Sequence, residues 1–362
     1  MSCPRCQTLP LTPDARGNLL LTFAVRELLD KMVGFLDDQS ARYQTEQMVV
    51  TLPDASLADF LALVRNSGFF NQLEYQGISA LLLAADETLT FQAFTRARTL
   101  DRWFGLVDSQ RLLDILEHKR FTAWFQPILA SDTGVTIGYE ALLRGRNADG
   151  TLMFPGEIFR MATENDLLFQ VDRQAREMAL HCAAAAGIVG RLFINFVPTA
   201  IYDPVHCLRS TVGWAKSLGF DPSRIVFEVV ETERIVDIDH LKRILDFYRS
   251  AGYQVALDDV GSGYASLNLL TLLQPDIIKI DMDLVRGIHA DQRRQAVFKA
   301  LVGIARDLKI LVLAEGVETE DELAYVVREG ADMVQGYLFA RPAPIPSALS
   351  IPSSWPVGTG RT

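Results

Sequence analysis

Several kinds of chemistry are excluded by what this chain carries too little of. Four cysteines in 362 residues (Cys3, Cys6, Cys182 and Cys207) are too few and too scattered for a disulfide framework. The pair in "CPRC" at the start has no second CxxC to complete a zinc site. It reads as free thiols on a frayed terminus, or as half a site completed by His or by another subunit. No apolar run is long enough to span a bilayer, and "MSCPRCQTLPLTPDARG" lacks the charged and apolar regions of a signal peptide. A cytoplasmic location is therefore expected. Positive charge is in deficit, 35 Lys and Arg against 45 Asp and Glu, for a formal net charge of −10. That balance argues against a nucleic-acid or anionic-membrane surface, although a small phosphorylated ligand can still be met locally. No Ser–His or Cys–His arrangement suggests a covalent nucleophile.

Apolar residue types are plentiful at 49%, and the length suits one large domain plus a smaller one. Residues 1–110 read as a small α/β or α+β unit of regulatory, sensory or interaction type. In it "NLLLTFAVRELLDKMVGFLD" and "LADFLALVRNSGFF" have helical spacing, and "QMVVTL" and "GISALLLAAD" are strand-like. The stretch "FTRARTLDRWFGLVDSQRLLDILEHKR" reads as a helical linker whose apolar positions suit packing, favoured over dimer contact. From about residue 120 a rhythm sets in. The runs "FTAWFQPIL", "TIGYEALL", "RLFINF", "RIVFEVV", "YQVALDD", "DIIKID", "ILVLAE" and "MVQGYLF" alternate with amphipathic stretches such as "DIDHLKRILDFYRSAG" and "DELAYVVREGA". Such alternation predicts a TIM-like (β/α)8 barrel over 111–350, with 351–362 as a flexible tail. Only "ASDTGV" joins the first two runs, too short for a crossover helix, so that pair is expected to be antiparallel.

The C-terminal ends of these runs share a chemistry. They carry Glu140, Asn195, Glu228 with Glu231, Asp258 with Asp259, Lys279 with Asp281, Glu315 with Glu318, and Gln335. In a barrel such ends converge on one mouth. Carboxylates crowded there cannot all stay ionised without a counter-charge, and one lysine is too little. Divalent cations settle the repulsion, and all-oxygen ligands favour Mg²⁺ or Mn²⁺ over zinc. The adjacent Asp258 and Asp259 suit a pair of ions sharing a ligand, an arrangement used to hydrolyse phosphodiesters. The five histidines, among them His118, His181 and His206, fall outside this set and read as structural or surface residues.

In these stretches the chain resembles the EAL-domain family of cyclic di-GMP phosphodiesterases. The signature stands as "YEALLRG", Glu140-Ala141-Leu142-Leu143-Arg144. It is joined in family order by "FQPI", "INF", "FEVVETE", "LDDVGSGYASL", "IKID", "AEGVET" and "QGYLFARP", over roughly residues 118–345. The resemblance implies hydrolysis of cyclic di-GMP to linear 5′-pGpG with two Mg²⁺ or Mn²⁺ ions. Glu140, Asn195, Glu228 and Asp258 would hold the first ion, and Asp258 with Asp259 the second. Lys279 would orient the attacking water, and Glu315 would act as general base or as a further metal-shell ligand. Arg144 would grip a substrate phosphate, with Gln126, Leu143, Asp281 and Gln335 on the substrate side or behind the ligands. Glu231, with Glu318 held less firmly, would tie metal binding to a dimer-forming loop, so a homodimer is expected.

The chain departs from the family pattern at three places. Val260 follows the paired aspartates where Phe is usual, Phe196-Val197-Pro198 follows Asn195 where Leu-Ser is usual, and "ENDLL" stands where "ETG" is common. None removes an expected ligand. The absence of "GGDEF" argues against a bifunctional cyclase. The rival readings are a receptor that binds cyclic di-GMP without cleaving it and signals through the N-terminal unit, and a barrel acting through protein contacts. Both would be marked by a broken site, and the ligand set here is whole.

Overall fold

The computed structural model describes residues 16–84, 86–229, 237–261, 267–346, 349–352 and 355–356. Cys3, Cys6, Glu231 and most of the loop after Asp259 lie outside them. Within the described residues the chain forms two compact units, one from 16–117 with 157–168 and one from 118–156 with the residues after 168.

The first unit is a five-stranded antiparallel sheet built from β1 (Arg16–Phe23), β2 (Gln44–Glu46), β3 (Val49–Ser56), β4 (Ile78–Leu83) and β5 (Arg98–Thr99). Their order is β2-β3-β1-β4-β5. Helices Arg26–Asp38 and Leu57–Ser67 connect β1 to β2 and β3 to β4, a split βαβ pattern. Here the helical reading of "NLLLTF" is corrected. Those residues belong to the central strand β1, where Leu19, Leu21 and Phe23 are buried and Leu20 and Thr22 only half-buried. A run of uninterrupted apolar residues satisfies period two as well as period 3.6, and pairing with β3 and β4 on both edges decides for the strand. The expected helical linker also divides, into β5 and the helices Leu100–Asp108 and Gln110–Glu117. Residues 157–168 pack into this unit through Asn165. Its Nδ2 donates to Ser109 Oγ at 2.8 Å, and its Oδ1 lies 2.3 Å from where Gly105 would carry a Cβ.

The second unit is a closed eight-stranded barrel. Its strands are β6 (Phe121–Ala130), β7 (Thr136–Arg146), β9 (Arg191–Phe196), β10 (Ile225–Val229), β11 (Gln254–Val260), β12 (Ile277–Ile280), β13 (Leu311–Ala314) and β14 (Met333–Val334). The short β8 (Leu152–Met153) extends β7 as a hairpin. β6 is antiparallel to both its neighbours, β7 and β14, and the other ring contacts are parallel, as the short first connection required. β14 stops at Val334, before the "QGYLF" that the sequence had suggested as strand. The chain leaves the ring at Gly336, where a Cβ would sit 2.0 Å from Val317 O, so only glycine fits. Beyond it, Phe125 and Ala343 exchange backbone hydrogen bonds along β6. Further on, Trp355 Nε1 donates to Ser131 O at 2.8 Å.

One layer of the barrel interior fixes everything above it. Ile128, Phe193, Val226, Ala256, Ile277, Leu313 and Met333, one from each of seven strands, form a separate buried apolar cluster inside the ring. Strand side chains alternate, so the residue two positions further along faces the same way, one level nearer the mouth. Those positions are Asn195, Glu228, Asp258, Lys279, Glu315 and Gln335, and on the reversed β6 the equivalent step leads back to Gln126. An apolar floor thus carries a polar storey.

Candidate functional site

Lys279 stands at the centre of that storey, with 1% of its surface exposed. Its Nζ lies 2.8 Å from Glu315 Oε1, 2.9 Å from Glu228 Oε1, 3.0 Å from Asp258 Oδ1 and 3.7 Å from Glu140 Oε1. Glu140, paired across β6–β7 with Gln126, is fixed by amides on either side. Asn195 Nδ2 donates to its Oε1 at 3.1 Å and Gln335 Nε2 to its Oε2 at 2.8 Å. The same Gln335 nitrogen donates to Gln126 Oε1 at 3.1 Å, and Gln126 in turn donates to Ala340 O at 3.3 Å.

A local irregularity resolves how neighbouring aspartates can serve one site. In a regular strand, adjacent side chains face opposite sides. Between β11 and β12 the register runs Leu257↔Ile278 and then Val260↔Ile280, three steps against two, so β11 carries one extra residue. Asp259 takes up the bulge with φ +55°, a left-handed conformation that Asp tolerates better than most residues. Its amide donates to Asp258 Oδ1 at 3.0 Å. The result is that one oxygen each of Asp258, Asp259 and Glu315 lie within 4.8 Å of one another.

The electrostatics are those of a site short of positive charge. Burial first, then the neighbouring carboxylates, push Glu228 and Glu315 well above the ordinary range despite Lys279, and Asp258 is raised in the same way. Burial, with the charges of Asp258 and Asp281 beside it, raises Asp259 to about 6. Burial also opposes ionisation of Glu140, but Lys279 and the amides of Gln335 and Asn195 outweigh it and hold that carboxyl below its usual value. Lys279 is held well above its own range, burial being overcome by the acids around it. Glu228 is fully buried, and no donor reaches its Oε2 among the described residues. A fully buried carboxyl oxygen without a donor, among acids that share a single lysine, is a donor set suited to hard divalent cations.

Arg144 lies four residues beyond Glu140, on the same face of β7. Its guanidinium is 5.1 Å from the ring centres of both Trp124 and Phe154, and its Nη1 donates to Leu143 O at 2.8 Å. Leu143 itself alternates to the other face, so its carbonyl is what it offers here. Asp281 caps the short helix Met282–Val285 and adjoins Asp259. Glu318 lies apart from the lysine cluster, ion-paired to Arg286 at 2.8 Å. Sequence reasoning passed over Trp124 and Glu322. Trp124 was detectable as the residue two before Gln126 on one strand. Glu322 accepts from the backbone N–H of Gly287, Glu318 and Thr319 at 2.7–3.0 Å, tying the loop that follows Glu315 to the segment after β12. Its signal was the capping pair Thr319…Glu322 ahead of an apolar helix face.

The family model for the EAL domain matches residues 109–342. The chain belongs to the EAL domain family. The cyclic di-GMP phosphodiesterase NbdA of Pseudomonas aeruginosa is 29% identical over 264 residues, covering 70% of this chain and 33% of its own length. Among solved structures, a standalone versatile EAL protein from Vibrio cholerae, in its c-di-GMP bound form, is 41% identical. It superposes with a TM-score of 0.58 over 63% of this chain and 95% of that one. The Bacillus subtilis YkuI protein, solved with c-di-GMP and calcium, is 26% identical, with a TM-score of 0.57 over 66% of this chain and 59% of its own. This EAL chain spans about a third of the length of the first curated relatives it matches.

Proposed function

We propose that the barrel hydrolyses cyclic di-GMP to linear 5′-pGpG at the lysine-centred carboxylate cluster, using a pair of Mg²⁺ or Mn²⁺ ions. The observation that carries the reading is the bulge at Asp259, which turns two adjacent carboxylates onto one site beside Glu315. A strained non-glycine residue costs about 1–2 kcal/mol and is kept where the surroundings use it. Support from relatives is consistent: NbdA is a cyclic di-GMP phosphodiesterase, and YkuI was solved with the same nucleotide and a divalent cation.

Glu140, Asn195, Glu228 and Asp258 would hold one cation, and Asp258 with Asp259 the other. Asn195, already donating to Glu140, offers its carbonyl and adds no further negative charge to the crowd. Bound cations of this kind lower the pKa of water and neutralise charge on phosphoryl oxygens. Lys279 keeps Glu228, Asp258 and Glu315 gathered and orients the water by hydrogen bonding. Glu315, its carboxylate beside Lys279 Nζ, accepts the proton of the attacking water as the new P–O bond forms, and the leaving 3′-oxygen takes up a proton from solvent as its bond to phosphorus breaks. Arg144, prevented from swinging by Trp124 and Phe154, grips a non-bridging phosphate oxygen. Gln126, Gln335, Asp281 and the Leu143 carbonyl keep these groups in place or line the substrate side. Glu231 and Glu318 would couple the site to a dimer-forming loop, and the N-terminal unit would serve as the regulatory input.

The test is the full chain with cyclic di-GMP and Mg²⁺ or Mn²⁺, assayed for pGpG. Nucleotide that stays intact with both metals supplied ends the enzymatic reading, and tight binding in that case would make the chain a receptor.

A further inference from the structure

Outside the ring, on the helix side of the end of β9, sits a charged pair that the proposed chemistry has not yet called on. Arg176 and Asp172, one turn apart on the helix Leu168–Ala185, are 1% and 2% exposed. Arg176 donates through Nε and Nη2 to Asp172 Oδ2 at 3.1 and 2.7 Å, and through Nη1 to the hydroxyl of the fully buried Thr211. Their companions on the buried helix face include Val171, Ala179, Leu180 and Ala183. Burying such a pair costs several kcal/mol per ion before the attraction repays it, and well-packed apolar residues often serve stability as well or better.

What an apolar pair could not do is occupy the other oxygen. Asp172 Oδ1 accepts the backbone N–H of Val197 at 2.9 Å. Val197 is the first residue beyond β9, where the ladder to β10 has ended at Phe196↔Val229. Two residues upstream is Asn195, opposite Glu228 in the same ladder and hydrogen-bonded to Glu140. Arg176 thus holds one oxygen of the Asp172 carboxylate while the other holds the end of the strand.

We propose that Asp172, oriented by Arg176, is a positioning residue that sets Asn195 for cation binding. The proposal rests on the cation site described above. It also explains how the strand end tolerates Phe196-Val197-Pro198: its last N–H is secured from the helix side, and the following turn does not have to secure it.

The test measures Mn²⁺ alone binding to the full chain, without nucleotide, by electron paramagnetic resonance or calorimetry, alongside thermal melting and hydrogen exchange at the Val197 amide. The double variant Asp172→Leu/Arg176→Met strands no charge and removes the acceptor. It should melt close to the wild type, lose protection at Val197 and bind Mn²⁺ at least tenfold more weakly. Asp172→Asn/Arg176→Met keeps an oxygen for Val197 and should recover most of the affinity. Thr211→Val, which breaks only the other arm of Arg176, should lower the melting temperature and leave Mn²⁺ affinity within twofold. Unchanged affinity in the leucine–methionine variant overturns the inference. Should that variant fail to fold, a tenfold loss in the asparagine–methionine variant overturns it instead. A wild-type chain that binds no Mn²⁺ would fail at the earlier step, the cation site itself.

Discussion

Two sheets of the same chain put alternation to opposite uses. In the N-terminal unit one face of the open sheet buries Leu19, Leu21, Val50 and Ala80. The other carries Leu20, Thr22, Val49, Ser79 and Leu81 around a cavity of about 80 Å³ with no ionisable lining residue. Its strands are antiparallel, so their ends point both ways and side chains that follow them in sequence scatter. In the barrel, seven of eight strands run together and their ends are brought to one rim. Among the described residues, the grouping of acids close enough to share a cation is found there. Ring closure, more than residue composition, turns ordinary strand-end acids into a site.

Replacing Glu140 by Ala is the severest challenge to that contrast. It removes a ligand and the acceptor of both Asn195 and Gln335, and turnover should fall by about 10³-fold or more while the fold persists. Retained pGpG formation would break the assignment. Arg144→Ala should act more narrowly, raising KM by about 10- to 100-fold with Mn²⁺ affinity unchanged, because its contacts are aromatic rings and a carbonyl. A matching loss of metal affinity would contradict its role.

A subtler probe is pH. Asp259 stands at about 6 without metal, against 3.8 for an ordinary aspartate. Its proton is therefore held more tightly folded than unfolded, so that the metal-free chain loses this stabilisation as pH rises through about 6. Cation binding must displace the proton. Mn²⁺ affinity should accordingly rise between pH 5 and about 7, with proton release visible as a buffer-dependent heat in calorimetry. Pairing these data with melting curves sharpens the comparison, since the N-terminal sheet has no group of this kind in its cavity. The smallest effect belongs to that sheet. Ser56 caps the helix Leu57–Ser67 by accepting from Asp59 N at 3.2 Å. Ser56→Ala should cost about 1 kcal/mol in local stability, read by melting, and leave turnover unaltered.

The barrel was legible because each strand is a short β-branched or aromatic run and each helix has its own period, so the two signals do not overlap. The polar storey was legible because those runs end in acids, one lysine and amides. β1 was not, since "NLLLTF" satisfies either period and only its neighbours in the sheet choose. The bulge at Asp259 was invisible for a related reason. Two adjacent aspartates say that charge is crowded, but which way each points depends on an extra residue in register with β12. Asp172 and Arg176 were detectable in principle as charges recurring with Ala179 and Ala183 on one helix face. A helix of mixed composition hides that stripe unless it is mapped residue by residue.

The packing of residues 157–168 alongside 16–117 makes the smaller unit a two-piece object, interleaved with the barrel along the chain. Cutting at residue 110 would discard Gly105 and Ser109, the receptor for Asn165, while keeping the helix Pro155–Glu164 that needs them. Shuffling such a module between proteins therefore requires two splices, and a lineage that exchanged only the leading piece would inherit an Asn165 fitted to a neighbour it no longer has.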